Sequence, residues 1–498
     1  MGITKTTRQK ALNSHPIEIA VPPPFDQGKP HFNGASIFGA TPNRHFMYAF
    51  PVRGERPLRF RAETPLPKGV TLSPQGILSG CAAEGEYKLA ITARNSLGTA
   101  SLDFTLKVGE MMLGRTPQLA WTSWNALVNT INQQKILAQA QALVSTGLSA
   151  RGYYSVNIDS CWQGRRDQKT LALLANRRFP NMKRLVEAIH GLGLKAGIYS
   201  TPMVIAFGSN EFEIFPGGSG YPLDPDYYTK PFGGCGVVHF ETQDAAQWAH
   251  WGFDYLKYDW AKCDVEHARL MREALDKTGK DFLMSLTVKC SLDYIEEYPK
   301  YAQLYRSNGD TADRWETIVA NILSADKWLP HTGPGKWYDL DMLALGKMSL
   351  ERTNKRYEFY TPIQENRLTR DEQITHFAVW CFMPSPVQLS CDLTVIDEFT
   401  LNLVSNEELL ALNQDSLGAM AVLESDTNGL RVYRRKLSGN RTAFAFVNLA
   451  EEPRQLHYKF GREIKLRDPL AMRSLPKTDT LDLLLPTHGT RVFVERLS

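Results

Sequence analysis

Cysteine is sparse and unclustered in this chain. Its seven cysteines (Cys81, Cys161, Cys235, Cys263, Cys290, Cys381 and Cys391) form no CxxC pair and no Cys/His cluster among 498 residues. A zinc site is therefore unsupported, and the wide spacing does not read as a disulfide scaffold. The odd count leaves at least one thiol free, and one bridge between loops stays open. Long hydrophobic runs are missing as well: no stretch reaches the roughly eighteen uncharged apolar residues of a membrane span. Residues Met1 to Lys10 lack the apolar core of a secretory leader, so the expected compartment is the cytoplasm, or the periplasm or exterior if a leader has been removed. Charge of one sign is also lacking. With 57 basic and 53 acidic residues the net charge is +4 and no long basic block occurs, so neither nucleic acid nor a membrane surface is indicated as a partner. No GxGxxG follows a strand and no histidine set accompanies the acids, so no cofactor and no metal is expected. What remains, 43% hydrophobic and 22% charged residues, is ordinary globular composition in a chain too long for one core. Oligomeric state leaves no mark in the sequence.

Four segments follow from the patterning. Residues 1–20 are polar and unpatterned, which predicts a flexible N-terminus, and Pro22-Pro23-Pro24 then forms an extended link. From 21 to 110 apolar residues recur at every second position, as in Tyr87-Lys88-Leu89-Ala90-Ile91-Thr92-Ala93, with Gly, Pro and Asn breaks between runs. This predicts a small β-sandwich. Its stretches Leu66-Pro67-Lys68-Gly69-Val70-Thr71-Leu72 and Gly76-Ile77-Leu78-Ser79-Gly80 resemble the immunoglobulin-like domain that precedes many bacterial glycosidases. Without an aromatic platform, packing or spacing is a better reading for it than carbohydrate binding.

From 111 to 415 strands alternate with helices. Candidate strands are 119–121, 154–158, 195–199, 255–258, 282–286, 303–305, 335–338 and 387–389, and amphipathic stripes such as Ile136, Ala140, Leu143 and Val144 lie between them. That rhythm predicts an α/β fold, a (β/α)8 TIM barrel. Helix ends are expected at Gly147 and Gly191. The Gly-, Pro- and aromatic-rich stretch from Pro202 to Gln243 follows the third strand, where a barrel builds its rim, and reads as a substrate-shaping loop, with a disordered lid as the alternative. From 416 to 498 strands return, with a turn at Ser438-Gly439-Asn440, as an antiparallel β-domain.

The stretch Tyr255-Leu256-Lys257-Tyr258-Asp259-Trp260 puts two charges into a buried strand. Side chains two residues apart leave one face, so Lys257 and Asp259 point the same way, and such a face either lines a polar cavity or pairs within itself. Acids recur at the other strand ends: Asp159 after the second, Asp310 after the sixth, Asp339 and Asp341 after the seventh. Trp121 and Trp124 flank the first, and Arg306 joins Lys257 as a cation. Facing carboxylates with aromatic walls are the equipment of glycosidic cleavage, one protonating the leaving oxygen while the other attacks or activates water. Metal binding is the competing use of clustered acids; Lys257 and Arg306 would repel a dication. A structural ion pair accounts for any single acid, and less well for one at each of several strand ends.

These residues also form familiar motifs. Leu119-Ala120-Trp121-Thr122-Ser123-Trp124-Asn125, Asn157-Ile158-Asp159-Ser160-Cys161-Trp162, Gly193-Leu194-Lys195-Ala196-Gly197-Ile198-Tyr199, Leu256-Lys257-Tyr258-Asp259, Arg306-Ser307-Asn308-Gly309-Asp310, Trp337-Tyr338-Asp339-Leu340-Asp341-Met342-Leu343 and Asn413-Gln414-Asp415-Ser416-Leu417-Gly418 stand in the order they take in glycoside hydrolase family 27. The chain resembles that α-galactosidase family from Thr116 to Ser498. The resemblance implies a retaining exo-glycosidase acting on an oligosaccharide or polysaccharide, with Asp259 as nucleophile and Asp310 as acid and base. It also implies that Lys257 and Arg306 hold sugar hydroxyls, while Trp121, Trp124, Asp159, Ser160 and Asp341 shape the pocket. Departures concern the sugar. Ser160 stands where the family usually has a second aspartate, Tyr338 and Leu340 replace Asn and Pro, and Thr287-Val288-Lys289-Cys290 is not the galactosidase motif. Isomaltodextran-, β-L-arabinopyranoside- or α-N-acetylgalactosaminide-cleaving activity is the alternative, unless an acid such as Glu213 replaces the missing one. A non-catalytic carbohydrate-binding barrel is disfavoured because both Asp259 and Asp310 are present.

Overall fold

The computed structural model describes residues 17–210, 213–229, 233–349, 351–353, 356–358 and 362–496. Eight short parallel strands form its centre: β1 (Leu119–Thr122), β2 (Ser155–Ile158), β3 (Lys195–Ser200), β4 (Tyr255–Asp259), β5 (Leu283–Thr287), β6 (Leu304–Tyr305), β7 (Trp337–Tyr338) and β8 (Val387–Leu389). They pair in chain order, and β8 pairs with β1. The ring meets itself through one parallel bridge from Leu343, just past β7, to Leu389, where the Leu343 amide donates to the Gln388 carbonyl at 2.8 Å. The result is a TIM-like barrel. Its strands are buried along their length, β1 and β2 at every position, as a parallel sheet wrapped in helices requires.

Among the described residues six helices of ten or more residues pack around the sheet: α1 (Gln133–Ser145), α2 (Met182–Gly191), α3 (Glu241–Trp251), α4 (Val265–Lys277), α5 (Trp315–Trp328) and α6 (Arg370–Phe382). Several begin at a side-chain cap. Asn132, Asn181 and Asp264 each accept an amide of the first turn, and Thr369 with Glu372 forms a reciprocal capping box, satisfying donors that a helix start leaves open. The helix expected to end at Gly191 does end there, and the left-handed residue that follows is Gly193, φ 77°. One expectation needs correction. The crossover from β5 to β6 consists of two single 3-10 turns, Leu292–Tyr294 and Tyr298–Lys300, the second carrying Pro299 in its first turn, rather than a helix.

The long segment after β3 folds as an antiparallel hairpin, Ser219–Thr229 against Gly233–His239. A second hairpin after β7, Glu351–Thr353 against Arg356–Glu358, was not expected. Strand units stand at both ends of the chain. The N-terminal one has a four-stranded and a three-stranded sheet around Phe46, Phe50, Leu78, Ile91, Phe104 and Leu106. The C-terminal one is antiparallel, with Val432, Phe446, Leu466 and Phe493 in its core, and its turn at 438–440 places Gly439 and Asn440 at positive φ.

The expected flexible N-terminus lies outside the described residues up to position 16. Residues 17–20 are pinned rather than free: Ile17 is buried with its amide on Asp371, and the Ala20 amide donates to Leu470. Among the described residues no helix is long and apolar enough to cross a membrane.

Candidate active site

The C-terminal ends of the strands bring the charged residues together. Asp259 closes β4 and is 7% exposed, Asp159 follows β2 at 3%, and Asp339 and Asp341 follow β7 at 5% and 4%. Carboxylates buried so close together need cations, and the barrel supplies them from β4 and the end of β6. Lys257 Nζ lies 2.8 Å from Asp159 Oδ2, reaching across β3, and 5.6 Å above the Tyr199 ring. Arg306 is almost fully buried and spans two acids, with its Nη2 2.7 Å from Asp310 Oδ1 and its Nη1 paired with Asp341 Oδ1. The strand face that carries Lys257 and Asp259 therefore pairs outward, with Asp159 taking the ammonium.

Asp259 has a different environment. Its Oδ1 has no hydrogen-bond partner among the described residues. Burial pushes its carboxyl up from the ordinary 3.8 to about 7, against the pull of Lys257 and Arg306, while Asp310 and Asp159 add to the rise. The Lys257 ammonium favours the ionised form of Asp259, but desolvation outweighs it. Asp339 is raised to about 6, first by burial and then by Asp341, with Arg306 opposing. Lys257 and Arg306 are held above their ordinary values: burial works against their charge, and the surrounding carboxylates overcome it. Asp310, with a side chain 23% exposed, is the most open acid of the group. A buried carboxylate with a free oxygen beside a more open one on an arginine suits attack at one side of a sugar and proton transfer at the other.

The aromatic and hydroxyl residues divide. Trp124, at the start of the short helix Trp124–Leu127, is 6% exposed. Gly208 of the loop after β3, at φ 92°, lies against it and against Cys161: a Cβ there would sit 2.6 Å from Cys161 Sγ and 3.5 Å from the Trp124 ring. Trp121 is fully buried and spends its indole N–H on the Cys391 carbonyl at 2.7 Å, so it backs the site and has no donor for a sugar. The Ser160 hydroxyl donates to the Phe207 carbonyl at 2.5 Å, pinning that same loop. Glu213 does not replace the missing carboxylate here, because it pairs with Arg178 at 2.9 Å with its side chain 46% exposed. Tyr199, under the Lys257 ammonium, was not among the expected site residues, and neither was the positive φ of Cys161, Cys263, Lys289 and Asp341 beside strand ends. Left-handed non-glycine residues collect where surroundings over-determine the chain, and no sequence signal marks them in Cys or Lys.

Comparison with known proteins bears on the family. Residues 116–415 match the family model described as alpha galactosidase A. The α-galactosidase of Oryza sativa is 33% identical over 349 residues, 68% of this chain and 72% of the rice protein. Alpha-galactosidase A of Cellvibrio japonicus is 31% identical over 366 residues, 70% of this chain and 79% of its own. Among solved structures, a Bacteroides fragilis protein described as a candidate α-galactosidase superposes with a TM-score of 0.81 at 25% identity, covering 96% of this chain and 100% of that one. A family match over more than half the chain, the relatives' identity and coverage, and acids gathered at the strand ends lead to one conclusion: the chain belongs to the α-galactosidase family of glycoside hydrolases.

Proposed function

We propose that this glycoside hydrolase releases a terminal α-galactosyl group from an oligosaccharide or polysaccharide, with retention, using Asp259 and Asp310. Asp259 attacks the anomeric carbon as the bond to the leaving oxygen breaks, and Asp310 gives that oxygen its proton. Asp310, now a carboxylate, takes a proton from water, whose oxygen displaces Asp259 and returns it ionised. The observation that carries this reading is the contrast between the two acids: a buried Asp259 with an unpartnered oxygen and an accessible Asp310 gripped by Arg306. Lys257 and Trp124 line the sugar pocket in this reading, with Asp159 held by Lys257.

A second reading, the same chemistry on a sugar altered at one side, is favoured by Ser160. A carboxylate at that position would accept strong bonds from sugar hydroxyls, whereas the serine is neutral and its proton already goes to Phe207. Turnover of aryl α-galactoside, β-L-arabinopyranoside and α-N-acetylgalactosaminide, before and after Ser160→Asp, separates the two. Efficient galactoside cleavage that the substitution does not raise leaves the first reading unmodified. Poor galactoside cleavage that Ser160→Asp improves selects the second.

We assign 21–110 to an immunoglobulin-like packing module, 111–415 to the catalytic barrel and 416–498 to a C-terminal β-sandwich. Packing rather than glycan capture is supported by Glu407, which follows β8 and pairs with Arg53 of the N-terminal unit at 2.9 Å and with Arg151 at 2.5 Å.

A further inference from the structure

Asp341 is bound at every polar atom by the protein itself. Its amide donates to Asp339 Oδ1 at 2.8 Å and its carbonyl accepts the Trp380 indole N–H at 2.8 Å. One carboxylate oxygen pairs with Arg306 Nη1, and the other accepts the amide of Thr311, the residue next to Asp310, at 2.5 Å. Its backbone sits at φ 77°, a conformation that aspartate keeps only where its surroundings hold it. A side chain 4% exposed and bonded in this way has little left to offer a sugar hydroxyl.

We infer that Asp341 is a positioning residue for the acid and base Asp310, acting through Arg306 and the Thr311 amide, rather than a sugar ligand. The inference rests on the reading of Asp310 given above. Two bonds converge on Asp310 from Asp341: one fixes the guanidinium whose other nitrogen holds Asp310 Oδ1, the other fixes the backbone immediately after it. The pair also sets charge. An unopposed arginine beside Asp310 would favour its ionised form and so weaken it as an acid. The Asp341 carboxylate offsets that positive charge. The other charged groups acting on this cluster are Asp339 beside Asp341 and, from β4, Asp259 and Lys257.

The test uses the full chain with two α-galactosides, one bearing a dinitrophenyl leaving group and one an unactivated alkyl group. Asp341→Asn is expected to slow the alkyl galactoside at least about tenfold more than the activated one, since only the former needs the proton. The basic limb of its kcat/KM profile should move to lower pH, and inhibition by free galactose should stay within about threefold of native, a difference of less than 1 kcal/mol. Equal losses on both substrates with weakened galactose inhibition would overturn the inference and make Asp341 a sugar ligand; a native pH profile with no leaving-group selectivity would overturn it too. If Asp341→Asn fails to fold, Asp341→Glu, which keeps the charge and displaces the bonds, is read by leaving-group selectivity and galactose inhibition alone. Asp310→Ala run alongside separates the levels. If it is itself indifferent to the leaving group, the reading of Asp310 falls; if it is selective and Asp341→Asn is not, only the inference falls.

Discussion

Asp259 occupies a site that resists its charge, and the consequence is a pH dependence with a definite sign. Its carboxyl is raised to about 7 from 3.8 by burial, and Lys257 is the largest influence opposing the rise. Below the raised value Asp259 carries a proton and cannot attack, so the acid limb of kcat/KM should begin near neutrality instead of near the ordinary aspartate range. Lys257→Met removes the opposing cation and should move that limb further up in pH; a limb that stays put or moves down contradicts the assignment. The positions of the acids were legible because strand ends and a period of two could be read from local sequence. Their partners were not. Lys257 finds Asp159 98 residues away, a pairing that exists only once β2, β3 and β4 lie side by side. The balance between desolvation and cations at Asp259 depends on depth, which spacing does not encode. Ser160 and Trp121 were legible as residues near the site, but the hydrogen bonds that turn their polar atoms inward come from loops far along the chain.

At the scale of elements, all eight barrel strands were read within a few residues of their observed spans, because β-branched and apolar runs bounded by Gly, Pro and Asn state their own period. The two rim hairpins were harder. Ser219–Thr229 contains Pro222 and Pro225 and is interrupted by register shifts, so it carries no clean alternation. The segment from Ala206 to Ser209 has no regular structure, yet it covers Trp124, Cys161 and Ser160 through contacts at Phe207 and Gly208. Gly208 has two reasons to be glycine, a φ of 92° and the 2.6 Å approach to Cys161 Sγ. Gly208→Ala should therefore push this loop off the Trp124 wall, raising KM for an aryl galactoside and costing about 1–3 kcal/mol of stability. Unfolding in urea with steady-state kinetics checks it; an unchanged midpoint and KM would mean that the loop shifts without consequence.

For the molecule as a whole, the terminal strand units are tied to the barrel by buried charge. Glu407 accepts from Arg53 and Arg151, and Arg151 also reaches the Pro23 carbonyl at 2.6 Å. On the other side Arg435, 1% exposed, donates from the C-terminal strands to the carbonyls of Phe382 and Leu412. Alternation and turn residues made both units legible as β-structure, but their docking depends on single long-range ions that no local pattern announces. Glu407→Ala strands Arg151 in a buried position and should cost about 3–5 kcal/mol, seen as a lower thermal midpoint, while kcat/KM at a temperature where the variant is folded stays near native because Arg151 precedes β2 whereas the acids lie at the C-terminal ends of the strands. A variant of native stability would show the clamp to be dispensable.

In the proposed mechanism Asp259 forms a covalent link to the sugar. A 2,2-difluoro-α-galactoside with a trinitrophenyl leaving group reacts with a retaining nucleophile and then releases it slowly, so peptide mapping by mass spectrometry reads the attacking residue directly. One difluorogalactosyl unit is expected on the peptide containing Tyr258 and Asp259, and none on that peptide from Asp259→Asn. Attachment to Asp310 or another residue, or release of trinitrophenol with no attached sugar at any time, would contradict it.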